Sequence, residues 1–154
     1  VLAEDPNAIG LLPQPFVTAA LAQNEKLSII MDLTKEWDNV QGEGSGSRLV
    51  TGVTIVNNDF LKEHEDLVDT FLQEHETSIA FTAEDPDAAA ELIANAEIVA
   101  KAPIAKKALP YCNITFIYGD EMKTALSGYL QALYDQNPAS VGGELPDDGF
   151  YYVK

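Results

Sequence analysis

Ala8-Ile-Gly-Leu-Leu12, Pro13-Gln-Pro15, Phe16-Val-Thr-Ala-Ala-Leu-Ala-Gln23 and Leu27-Ser-Ile-Ile-Met31 form the stretch on which the fold reading turns. The first piece is a short apolar run closed by proline, the signature of a buried strand. The prolines break the chain. Phe16, Val17, Ala20 and Leu21 then recur at helical spacing, and Leu27–Met31 is again apolar and partly β-branched. Strand, helix, strand is the repeating unit of a parallel α/β sheet, so the expected fold class is α/β.

Reading outward, Asp32 to Val40 holds the single tryptophan, Trp37, and suits a short helix or a turn. Gln41-Gly-Glu-Gly-Ser-Gly-Ser-Arg48 is the clearest break and reads as a flexible loop. Val50 to Asn57 alternates as a strand, and Asn57-Asn58-Asp59 offers a helix N-cap. From Phe60 to Phe81 an apolar stripe of Leu67, Val68, Phe71, Leu72 and Ile79 is flanked by acids. Asp85-Pro86 opens another helix, with proline in its first turn. A third runs to Leu109 and stops at Pro110. Tyr111 to Tyr118 is β-branched and aromatic, with no clear state. Gly119-Asp120 is expected to cap an amphipathic helix with Met122, Leu126, Tyr129, Leu130 and Leu133 on one face, and Asn137-Pro138 ends it.

The 154 residues carry 25 acids against 9 bases, a formal charge of −16, while 46% of residues are hydrophobic. The apolar fraction is that of a globular chain. The charge repels phosphate backbones and anionic lipid surfaces, so neither nucleic acid nor a membrane surface is an expected partner. No apolar run approaches a bilayer's thickness. One cysteine, Cys112, excludes an intrachain disulfide and a cysteine-based zinc site. Val1 opens directly onto Leu-Ala-Glu-Asp-Pro, without an initiator methionine or signal segment, and reads like the interior of a folded chain. A fragment is therefore expected.

Motifs for catalysis are missing where their context would be needed. Gly42, Gly44 and Gly46 do not make G-x-G-x-x-G, because Ser47 follows, and the segment leads toward a predicted strand rather than a helix N-terminus. His64 and His75 are close to three helical turns apart and could share a face. Val68, however, stands where H-E-x-x-H requires the second histidine, so no metal is assigned. Carboxylates are abundant, but nothing local separates a pair into acid and base. Cys112 has no histidine near it in sequence and reads as a packed thiol. Asn113-Ile-Thr115 is formally a glycosylation sequon, expected to be idle in a segment read as buried. What remains is recognition chemistry: the amides of Gln14 and Asn113 and the rings of Phe16, Trp37 and Tyr111 stand near breaks between elements. Rings stack on a small organic ligand and amides orient it.

Four segments taken in order resemble the C-terminal half of the solute-binding proteins of ATP-binding-cassette importers, in the group that binds sulfonates, nitrate and thiamine precursors. They are Ile9-Gly-Leu-Leu-Pro-Gln-Pro-Phe16; Thr51-Gly-Val-Thr-Ile-Val-Asn-Asn-Asp-Phe-Leu61; Leu67-Val-Asp-Thr-Phe-Leu72 with Glu84-Asp-Pro-Asp-Ala-Ala-Ala-Glu-Leu92; and Leu109-Pro-Tyr-Cys-Asn-Ile114 with Gly119-Asp-Glu-Met122 and Ser140-Val-Gly-Gly-Glu-Leu-Pro-Asp-Asp-Gly-Phe-Tyr-Tyr152. Gln14 stands where many members have an acid. The resemblance implies part of a two-lobed periplasmic-binding-protein type II fold. Residues 1–48 would end the second lobe, and 49–154 would return through a hinge strand and complete the first with helices. The core of that first lobe, and so half of the cleft wall, would lie outside the chain.

The same resemblance implies capture of a small-molecule ligand between lobes and delivery to an ABC permease, without covalent catalysis and without a cofactor. It places Gln14, Pro15 and Phe16 at a strand's C-terminal end, where open α/β sheets bind ligands. Thr51 and Gly52 would lie near the hinge, with Tyr111 and Asn113 as further ligand contacts. The expected location is outside the bacterial cytoplasm, in the periplasm or on the outer face of the cell membrane, with membrane association only through a lipid anchor beyond these residues. Two other readings fit the same scaffold: an enzyme related to thiamine-precursor synthases, and a ligand-sensing domain.

Overall fold

The computed structural model describes Asp5 and residues 7–153. The reading of Val1-Leu-Ala-Glu4 as interior chain lies outside the described residues. Seven α-helices follow one another: α1 (Phe16–Gln23), α2 (Leu33–Gln41), α3 (Asn58–Glu63), α4 (Glu65–Glu84), α5 (Pro86–Asn95), α6 (Ala102–Ala108) and α7 (Gly119–Gln136). Short 3-10 turns occupy Leu109–Tyr111, Pro138–Val141 and Asp148–Phe150.

Among the described residues there is no strand and no sheet. The expected α/β class, and with it the sheet of a two-lobed type II binding fold, is therefore corrected: the chain as it stands is all-helical. Ala8–Leu12, Leu27–Met31 and Val50–Asn57 are irregular chain, and Tyr111 closes a 3-10 turn before residues 113–118 run without regular structure. Side-chain alternation records only which groups could face an apolar layer. A strand also needs a second extended segment about 4.8 Å away to complete its hydrogen-bond ladder. No described segment stands in that position, and Ile9, Leu11, Ile30, Val53 and Ile55 are all exposed.

The helices form where capping chemistry and periodicity place them. Asp32 accepts the amide of Thr34 at 3.1 Å and starts α2. Asn57 accepts from Asp59 at 2.9 Å and from Phe60 at 3.2 Å and starts α3. Asp85 takes the amide of Ala88 at 3.0 Å, with Pro86 at the first helical position of α5. Each cap satisfies donors that a helix N-terminus leaves open, worth about 1 kcal/mol. The single helix expected from Phe60 to Phe81 is two, because His64 leaves helical geometry at φ −139° and joins α3 to α4.

The described chain divides into two compact units. The first comprises residues up to Ile29 together with Asn57–Phe116, and the second Ile30–Val56 with the residues from Ile117 onward. In the first unit α5 and α6 pack face to face, α4 lies on α5, and α1 on α6. Its buried side chains are small: Ala89 and Ala90 of α5, Ala105 and Ala108 of α6, with Val68 of α4. Alanines let the two helix backbones approach closely, but each buries little more than a methyl, on the order of 0.8 kcal/mol. An ion pair between Lys106 and Asp87 ties α6 to α5 at the surface.

In the second unit α7 carries the half-buried stripe Met122, Leu126, Tyr129, Leu130 and Leu133. Trp37 of α2 lays its ring against Tyr129, centroids 5.3 Å apart and tilted by 52°. Gly46 reaches φ +70°, and a Cβ there would stand 2.6 Å from Thr124 Cγ2. Both the left-handed backbone and the approach demand glycine. The Gly-rich stretch is thus anchored at its end: Ser47, next in line, is buried against Gly128.

Candidate functional site

Gln14, Pro15 and Phe16 sit at the start of α1 in the first unit. The Gln14 side chain folds over the helix entrance. Its Oε1 accepts the Thr18 hydroxyl at 2.8 Å and the Thr18 amide at 3.3 Å. The amide oxygen is therefore committed to the helix, and the side-chain NH₂ is the group Gln14 has left to offer. Phe16 is 62% exposed at the first helical position. Pro15 is half-buried.

Tyr111 and Asn113 belong to the same unit, after α6. Tyr111 ends the 3-10 turn with its ring 67% exposed. Asn113 is exposed and takes φ +51°, a conformation that asparagine tolerates better than most residues. The sequon it opens is exposed at all three positions, not buried as its β-branched composition suggested. Between them Cys112 is half-buried. Its thiol donates to the Ala108 carbonyl at 3.3 Å, and burial pushes its pKa up, which disfavours the nucleophilic thiolate. Thr51 and Gly52 are exposed and belong to the second unit. Of the seven residues singled out, five therefore share one unit and two lie in the other.

The two histidines do not form a centre. His64 marks the break between α3 and α4 and packs its ring on Phe60 at 4.8 Å. His75, within α4, stacks on Phe71 at 5.5 Å and meets the edge of Phe116 at 6.0 Å. The break removes the common helical face that their spacing implied. Among the described residues no three His, Cys, Asp or Glu side chains are grouped to hold a metal ion.

Two polar atoms of the second unit escape a reading of sequence alone. Trp37 Nε1 and Ser47 Oγ are buried without a hydrogen-bond partner. They adjoin consecutive residues of α7, Tyr129 and Gly128. No local signal marks Ser47, because its burial depends on a helix that begins more than seventy residues later. At the other side of α7, Lys123 Nζ pairs with Asp148 Oδ1 at 2.8 Å and lies 5.9 Å from the centre of the Tyr151 ring. The shared hydrogen bond lowers the Asp148 pKa and raises that of Lys123, while burial raises that of Tyr151. This cluster fastens the C-terminal turns to α7. No helix among the described residues is long and apolar enough to cross a membrane.

No protein-family model matches the chain, and no curated protein does. A crystal structure of an ABC transporter from Parabacteroides distasonis is similar in fold, with a TM-score of 0.66 and 24% sequence identity. The match covers 93% of this chain and 48% of that one, so the chain spans about half the length of that structure.

Proposed function

We propose that this chain is part of the solute-binding component of an ABC importer, of the type that captures sulfonates, nitrate or thiamine precursors. The observation that supports this reading most is the fold likeness to the Parabacteroides distasonis structure along 93% of the chain. The proposed ligand is a small molecule. The free NH₂ of Gln14 and the exposed rings of Phe16 and Tyr111 offer hydrogen-bond donation and stacking, the two interactions such a ligand needs to be held and oriented. Asn113, in the same unit, completes the proposed contact set.

Function on this reading is binding and hand-over rather than turnover. A ligand that contacts one conformation better than another shifts the population toward it, by no more than its differential affinity. The favoured state then docks on a membrane permease. The protein is proposed to act outside the cytoplasm, tethered by a lipid anchor beyond these residues.

A thermal-shift screen of the complete gene product against sulfonates, nitrate, thiamine precursors and a general metabolite set tests this. A true ligand at about one hundred times its Kd adds roughly 2.7 kcal/mol to stability, an easily read shift. One chemical class is expected to raise Tm without being consumed. Gln14→Ala and Phe16→Ala are expected to weaken that binding at least tenfold. A flat screen overturns the transport reading, whereas binding unmoved by both substitutions overturns the site.

A further inference from the structure

Helix α2, in the second unit, is held loosely. None of its residues is buried, and among the described residues it forms no extended packing with another helix. What ties it to α7 is the Trp37 ring on Tyr129, centroids 5.3 Å apart. The same indole buries its Nε1–H without a hydrogen-bond partner. A donor left unpaired out of water costs more than a made hydrogen bond returns. Turning the ring into water satisfies that donor. The closed contact therefore carries a penalty that the open one loses.

The chain that follows α2 is of two kinds. Gly42 and Gly44 take φ +80° and +82°, with open space where side chains would stand. Gly46, Ser47 and Arg48 are instead seated on α7. A Cβ at Gly46 would meet Thr124, Ser47 lies against Gly128, and Arg48 Nη2 pairs with Glu121 Oε1 at 3.4 Å. Glu121, Thr124 and Gly128 recur at the spacing of a single helix face. Before α2, Ile30 and Met31 are exposed, irregular chain. A short helix thus lies between slack chain and a two-glycine joint whose far side is clamped. Hinges are built this way, from a few positions free to absorb a change in φ and ψ.

We propose that α2 is a hinged flap, latched on α7 by Trp37 and turning at Gly42–Gly44. It opens while the rest of the second unit stays folded. A nine-residue helix does not persist alone in water, so release of the latch also unwinds α2. Opening bares the Tyr129 ring and the indole N–H together, an aromatic face with a free donor that the closed flap hides. The device works without a solute or a permease, so its test stands apart from the transport reading.

Amide hydrogen exchange on the complete gene product, resolved by residue, tests the flap. The amides from Glu36 to Gly42 donate along α2, the first to Asp32 and the last to Asp38, each at 3.0 Å. They are expected to exchange together, about 100-fold faster than amides inside α7 but slower than unprotected chain. Protection equal to that of α7 overturns the proposal, because α2 then opens only with the whole unit. No protection at all overturns it equally, because nothing is then latched. Trp37→Phe keeps a ring on Tyr129 and removes the orphaned N–H. It is expected to slow exchange in α2 about tenfold and leave α7 unmoved. Unchanged or faster exchange in α2 refutes the indole N–H as the group that favours opening.

Discussion

Gly128→Ala sets two effects of known size against each other. Within α7, alanine gains about 1 kcal/mol over glycine from helix propensity alone. Here the new methyl meets Ser47: Cβ at 2.6 Å, Oγ at 2.9 Å and the Cα backbone atom at 3.2 Å. Real Cβ atoms do not sit that close, and Ser47 cannot simply rotate away, because its own Cβ and backbone form the contact. Ser47 also follows Gly46, which is held against Thr124. Forcing a methyl into such a site costs about 1–3 kcal/mol beyond any gain in contacts. The clash offsets or exceeds the propensity, and a net destabilisation of up to about 2 kcal/mol is expected, or up to roughly 4–8 °C in Tm for a chain of this size. Ser47→Gly removes the opposing Cβ, so in the double variant the propensity gain should reappear. The pair is measured as a double-mutant cycle by urea unfolding, with a coupling of about 1–2 kcal/mol expected. If Gly128→Ala alone stabilises the protein by its full propensity, Ser47 does not pack on α7.

Asp85→Ala should cost about 1 kcal/mol by removing the cap on the Ala88 amide, read as a lower urea midpoint with an unchanged m-value. The Lys123–Asp148 pair has a defined sign with pH. A lowered Asp148 pKa means the carboxylate is favoured in the folded state, so its contribution is present above the ordinary carboxylate range and is lost as acid titrates it. The raised Lys123 pKa gives the opposite edge: its contribution is lost only as pH climbs through the lysine range. Lys123→Met should bring the Asp148 titration, followed by NMR, back up to an ordinary carboxyl value, and no upward movement would show that the pair does not form in solution. Cys112 should react with iodoacetamide more slowly than a free small-molecule thiol at pH 8, because its raised pKa reduces the thiolate fraction; equal rates would contradict its burial.

Local chemistry in this chain was legible residue by residue. Phe16–Gln23 is helical because its apolar spacing and the preceding prolines leave little else, and Asp85-Pro86 and Asn57 start helices because their side chains satisfy nearby amides within the same few residues. Such interactions close over two to four positions, so sequence contains both partners. Gln14 was legible as a polar group at a break between elements, but its commitment to Thr18 was not, since that depends on one rotamer at a helix entrance.

What the residues could not decide alone concerns partners distant along the chain. Ala8–Leu12, Leu27–Met31 and Val50–Asn57 have the composition of strands, yet among the described residues they find no ladder, because alternation prescribes a face and says nothing of whether a second backbone lies alongside. The burial of Ser47, the contact of Trp37 with Tyr129 and the separation of Thr51 and Gly52 from Gln14 into another unit likewise came only from tertiary packing. Sequence by itself determined most of the helical segments, the caps at Asn57 and Asp85, and an apolar supply larger than the described core consumes. Only the fold revealed where that surplus is left in water, because burial is a property of surfaces brought together and not of any one residue.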